Sequence, residues 1–202
     1  AVTASWVESV RQHIDVEEWM LYFAVETIVD NRETNLGNAN NGTGQGDDYL
    51  LYFGTKDTRA RVIPYDLDTI LGVGDASFDP KRGLFRMNAN PWVARIMAQP
   101  AFAAIYYRTL QRLLDGPFAE GPMNAFLDEV LGDLRVETQL RTMKEFGALR
   151  RAALAQLIPR HLSVVSTNLP FLEGIYRATT TPVQLSGQAN GATTFQVEIP
   201  GT

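Results

Sequence analysis

An α+β fold, predominantly helical, with one β-hairpin early in the chain, is what this sequence predicts. Three observations lead there. Residues 16–29 carry Val16, Trp19, Met20, Phe23, Ala24 and Thr27 at helical spacing. Tyr49–Phe53 and Arg61–Ile63 are short aromatic and β-branched runs, separated by the turn residues Gly54–Thr58. From Pro91 onward, apolar residues recur at helical intervals in four successive segments.

The elements follow in order. A first helix is expected over 4–14. Asp15 with Glu18 reads as a capping box that starts a second helix ending at Ile28–Val29. Leu21, Tyr22 and Val25 widen its apolar surface, so it should be buried on most sides. Residues 30–48 are rich in Gly, Asn and Asp and have no periodicity, which predicts a long loop. The hairpin comes next, then Pro64-Tyr65-Asp66-Leu67-Asp68 and an irregular stretch over 73–90. Helices are expected from Pro91 to Ala98, from Pro100 to Leu114, over about 122–134, and over about 144–167 with a break at Pro159. After Pro182 the period changes to two, and Val183, Leu185, Phe195, Val197 and Ile199 predict two strands around a Gly187–Gly191 turn.

Bulk properties narrow the function. The chain has 202 residues and a formal net charge of -5, with Lys and Arg scattered rather than striped, which argues against nucleic-acid binding. Arg150-Arg151, with Arg160 and His161 beyond, is the one tight basic group, and it is expected to be a solvated helix face. No cysteine is present, so disulfides and thiolate chemistry are excluded. No apolar run approaches the roughly 18 residues that span a bilayer, so membrane insertion is not expected. His13 and His161 are isolated and expected to be structural or surface residues; Trp19, Trp92 and Tyr106-Tyr107 are expected to pack in the core.

The carboxylates are the residues that suggest chemistry. Asp30 follows the buried helix, Asp48 precedes the first strand, and Asp66 and Asp68 follow the second. A hairpin brings its outer ends together, so positions 48 and 66 should be neighbours. Clustered carboxylates beside a polar loop suit a hard cation, although Asp residues at strand ends also commonly cap turns. An EF-hand reading fails, because Ile70, Leu71 and Ser77 stand where a ligand, a Gly and a Glu are needed. Phosphoryl transfer accounts for more: Asp30 and Asn35 are five positions apart, the protein-kinase spacing of base and metal ligand, and Asp66 follows a hairpin as the kinase metal-binding Asp does.

These motifs together resemble the kinase-like family of bacterial spore-coat protein H, the CotH kinase family. The residues that carry the resemblance are Leu21–Val25, Asp30, Tyr49-Leu50-Leu51-Tyr52, Val62–Asp68 with Gly72, Asn90–Met97 and Tyr106-Tyr107. It implies a protein-kinase-like C-lobe over 1–178, with the hairpin bearing the metal-site aspartates, and a linker and the start of a β-rich segment over 179–202. It implies an ATP- and Mg²⁺- (or Mn²⁺-) dependent kinase acting on protein Ser or Thr, with Asp30 orienting the acceptor hydroxyl and Asp66 holding the metal. Asp68 would assist or hold the loop; Asn35 and Asp48 compete for the second metal position and, with Asp66, are the residues expected to bind the cofactor. No Gly-rich phosphate loop or paired Lys precedes Asp30, and the chain starts at Ala1 within two or three residues of a helix. An upstream lobe is therefore expected in the full-length protein, which would sit outside the cell or on a cell or spore surface. The alternative is a non-catalytic scaffold or surface-assembly domain that keeps the fold.

Overall fold

The computed structural model describes residues 4–31, 49–74, 78–134, 136–158, 162–166, 171–172, 175–176 and 185–189. The chain divides into two compact units, Ala1–Gln156 and Leu157–Thr202. The first is mostly helical with one two-stranded antiparallel sheet, an α+β arrangement: α1 (Ala4–His13), α2 (Val16–Val29), β1 (Tyr49–Phe53), β2 (Ala60–Pro64), α3 (Pro91–Met97), α4 (Pro100–Asp115), α5 (Glu120–Leu131) and α6 (Glu137–Leu157). In the second unit, β3 (Leu162–Ser166) pairs antiparallel with β6 (Leu185–Ala189), and β4 (Phe171–Leu172) with β5 (Ile175–Tyr176).

The central element is α2. Ten of its residues are buried, including Val16, Met20, Phe23, Ala24 and Ile28. Asp15 caps it through Oδ1, which accepts from the Glu18 N–H at 3.2 Å. The reciprocal half of the expected box does not form. The Asp15 N–H donates to the Ala60 carbonyl and the Glu18 carboxylate pairs with Arg61, so the helix start is stitched to β2 instead. Trp19 Nε1 donates to the same Ala60 carbonyl at 2.8 Å. The hairpin register is Tyr49↔Pro64 to Phe53↔Ala60, and Ala60 and Val62 are its buried members.

α4 lies along α2 and buries Phe102, Tyr106, Leu110 and Leu113. A second apolar cluster joins Val29, Leu71, Met123, Leu127 and Phe146, so the end of α2 meets α5, α6 and the turn after β2.

Several expectations need correction. The last long helix starts at Glu137, not near 144, and ends at Leu157; residues 162–166 are strand. Pro159 cannot donate a helical hydrogen bond, which is consistent with the helix ending before it. Gly187 lies inside β6 rather than in a turn, and the expected strand around Phe195–Ile199 is outside the described residues. Trp92 is 73 % exposed: Asn90 caps α3 and directs its second residue outward. Trp19 and Tyr106 are buried as expected, and His13 is on the surface. No helix among the described residues is long and apolar enough to cross a membrane.

Tyr106 links α2 and α4 to the segment after residue 78. Its hydroxyl donates to the Leu84 carbonyl at 2.6 Å, so the Thr27 hydroxyl, 2.8 Å away, donates to the tyrosine oxygen. Burial holds the titration of this hydroxyl above the ordinary tyrosine range; the Thr27 bond opposes that shift without cancelling it. The unfolded chain therefore loses this proton first, at about pH 10, and the tyrosine's contribution to stability falls as pH rises past that point. Tyr106→Phe should lower the unfolding free energy at neutral pH by about 1–2 kcal/mol. It should also show a shallower loss of stability above about pH 10 than the parent chain in urea titrations at successive pH values.

Candidate active site

The chain turns sharply at the end of α2. Asp30 sits at φ 49, in the left-handed region, and its N–H closes back on the Glu26 carbonyl. Asn31 N–H donates to the same carbonyl at 3.1 Å. Glycine is the usual residue at this position; an Asp is tolerated there at a cost. Asp30 carries two further costs. Its carboxylate lies at the negative end of the helix dipole, and its side chain is 1 % exposed.

Those costs are offset by donors from residues 79–82. Arg82 Nε donates to Asp30 Oδ1 at 3.0 Å, and the Asp79 N–H approaches Oδ2 at 3.4 Å. Arg86 Nη1 donates to the Asn31 carbonyl. Asp30, Asn31, Arg82, Arg86 and Arg150 thus line one pocket, floored by Phe23 and Met87.

Arg150 holds this arrangement from beneath. It was expected on a solvated helix face and is instead 1 % exposed. Its Nε and Nη2 donate to the Thr27 carbonyl at 3.0 and 2.7 Å, and Nη1 donates to the carbonyls of Pro80 and Arg82. The Thr27 carbonyl belongs to the last turn of α2, where helix carbonyls lack partners. One guanidinium therefore closes the helix end and fixes the backbone of the segment that covers Asp30. Burial pushes Arg150 below its ordinary value, and the Asp30 charge is the largest influence opposing it. The neighbouring Arg151 pairs with Glu120 at 3.3 Å.

The other aspartates stand differently. Asp66 and Asp68 are exposed, on the irregular segment that leaves β2. That segment is tied to the base of Asp30 by one backbone bond, from the Leu71 N–H to the Val29 carbonyl at 2.7 Å. It is tightly wound: Asp66, Leu71, Gly72 and Gly74 all have positive φ. A Cβ on Gly74 would lie 2.8 Å from the Asp68 carbonyl oxygen and from Thr69, so only glycine fits there. Left-handed non-glycine residues are costly and concentrate at functional sites; two of the three among the described residues are Asp30 and Asp66. No group of three or more His, Cys, Asp or Glu residues able to hold a metal occurs among the described residues. Asn35 and Asp48 lie outside them.

Arg82, Arg86, Asn31 and Arg150 are pocket residues that sequence reasoning missed. Only Arg150 left a signal: with Phe146 and Leu154 it occupies successive turns of one buried stripe of α6.

The site is a buried helix-end aspartate clamped by arginine, joined through the backbone to a loop that presents two further carboxylates. A search against family models places residues 2–155 in the CotH kinase protein family. The chain therefore belongs to that family, over about the same residues as its helical unit. No curated protein matches it.

If Arg150 is the clamp described, its charge alone will not replace it. Arg150→Lys keeps a cation but lacks the planar fork that reaches three carbonyls. Both Arg150→Lys and Arg150→Met should lose about 3 kcal/mol of unfolding free energy, read as a lower urea midpoint at unchanged slope. A midpoint for Lys equal to the parent's would refute the clamp.

Proposed function

We propose that the protein is an ATP- and Mg²⁺-dependent kinase of the spore-coat type, acting on Ser or Thr of a protein partner at a cell or spore surface. The observation that carries this reading is the strained, buried Asp30 at the end of α2, joined by the Val29–Leu71 backbone bond to the loop bearing Asp66 and Asp68. Family membership supports it over the same residues.

A divalent ion fits the donors available. Mg²⁺ typically takes one or two carboxylates and completes its shell with phosphate oxygens and water. Asp66 and Asp68 are exposed carboxylates close in sequence, so they can ligate without first leaving a buried partner. Asp48 and Asn35, which precede the hairpin in the sequence, are the further candidates. When bound, the ion offsets charge on the phosphate oxygens. Asp30 then accepts the hydrogen bond of the acceptor hydroxyl and takes its proton. The acceptor oxygen forms the new bond to the terminal phosphorus, and the ADP oxygen leaves with the electron pair of the bond that breaks.

One observation favours a second reading, a non-catalytic scaffold: the Asp30 carboxylate is closed off by Arg82. The two separate in one assay. The protein is incubated with terminally labelled ATP and Mg²⁺ beside Asp66→Asn and Asp30→Ala. The kinase reading expects labelling that falls by about 100-fold or more in each variant, with circular dichroism unchanged. Labelling that is absent throughout, or equal in the parent and Asp66→Asn, would leave the scaffold reading.

A further inference from the structure

Asp30 cannot reach an acceptor as it stands. A general base must come within about 2.6–3.2 Å of the hydroxyl it serves. The Asp30 side chain is 1 % exposed and Arg82 lies across Oδ1. The pocket leaves about 20 Å³ for the centre of a water-sized sphere, room for about one water. Something must move, and the surroundings say what. The backbone of residues 80–82 is held by Arg150, and the Leu84 carbonyl by Tyr106. The Arg82 side chain is 27 % exposed, and its bond to Asp30 uses Nε, one of five guanidinium donors. Its side chain is therefore the movable cover, and it is chemically suited to a second oxyanion. A phosphate offers the same charge-assisted, bidentate bonding as a carboxylate, with more oxygens and more charge. The pocket also favours an anion: its charged lining is Arg82, Arg86 and Arg150 against Glu26 and Asp30.

We propose that Arg82, with Arg86 beside it, forms a phosphate site built against Asp30, and that a phosphoryl group entering the pocket takes the Arg82 guanidinium from Asp30 Oδ1 and uncovers that carboxylate. Uncovering matters only if Asp30 serves an acceptor hydroxyl, so the purpose of the device rests on the kinase reading. Its existence does not. Before binding, Asp30 competes with phosphate for Arg82. Removing the carboxylate's charge should therefore strengthen phosphate binding, an effect that a purely structural ion pair would not produce.

The test is isothermal titration of the whole chain with tripolyphosphate, without metal, for the parent, Arg82→Gln, Arg82→Lys, Asp30→Asn and Arg108→Gln. Arg108 is an exposed arginine on α4, away from this pocket, and controls for net charge. The expected pattern is binding weakened about 10-fold or more by Arg82→Gln, weakened less by Arg82→Lys, strengthened about 10-fold by Asp30→Asn, and within about twofold of the parent for Arg108→Gln. Arg82→Lys keeps a cation on Asp30, so it reports even where the Gln variant does not fold. Equal affinity in the parent, Arg82→Gln and Arg82→Lys, weaker binding by Asp30→Asn, or no binding by either the parent or Asp30→Asn would overturn the proposal. ATP and a phosphoserine peptide, titrated in parallel, separate nucleotide from acceptor as the source of the phosphate; the one whose affinity depends on Arg82 is the source. Failure of the labelling assay with this pattern intact would remove the kinase reading and leave the site. Labelling without the pattern would remove the site alone.

Discussion

A single buried guanidinium organises this protein's candidate site. Arg150 reaches from α6 to the carbonyl end of α2 and to the backbone of Pro80 and Arg82. A buried cation without hydrogen bonds would be costly, but this one uses Nε and both terminal nitrogens, and it lies at the negative end of a helix dipole. Without it the Thr27 carbonyl would be buried without that partner, and the segment over Asp30 would lose its anchor. Asp30 lies one level above, and its charge helps keep Arg150 ionised. Helix end, cover and carboxylate are thus mutually dependent, and a change to any of them is felt by the other two.

Asp30 violates three local preferences at once: left-handed backbone, burial of a charge, and negative charge at a helix C-terminus. Glycine would remove all three. Sequences depart from local consistency mainly where function demands it. The left-handed backbone of Asp30 is such a departure, and the Asp-to-Asn spacing has no comparable cost. The same holds in lesser degree for Asp66, whose left-handed backbone begins the tight loop that Gly74 completes.

Local physics made much of the fold legible in advance. Helical periodicity marked α2 and α4, a capping residue marked the start of α2, and proline marked the starts of α3 and α4. What stayed hidden was decided by tertiary contact. The Glu18 side chain could cap its helix or pair with Arg61, and only the arrival of β2 chose between them. Arg150 and Arg151 are adjacent and chemically identical, yet one is buried and the other meets Glu120, because a one-residue step turns a helix by about 100°. Arg82 and Arg86 lie in an aperiodic stretch, where no pattern signals which side chain turns inward. The carboxylates were visible as candidates because Asp is conspicuous beside apolar runs; the arginines that answer them were not.

The difference in rigidity between Arg82's backbone and its side chain decides what kind of device the pocket can be. A loop that swung away whole would break the buried Tyr106 bond to Leu84 and the part-buried Arg150 bonds to Pro80 and Arg82, each costly to leave unmade. Among the described residues, rotation of this one partly exposed side chain breaks only the bond to Asp30. That bond must be replaced, because a buried carboxylate stripped of its cation is destabilised by several kcal/mol. On the proposed kinase reading, a proton from an acceptor hydroxyl removes the charge itself, and a hydrogen bond from that hydroxyl partly compensates beforehand. A phosphate that receives Arg82 therefore opens the pocket at a cost, and a hydroxyl that then meets Asp30 lowers that cost.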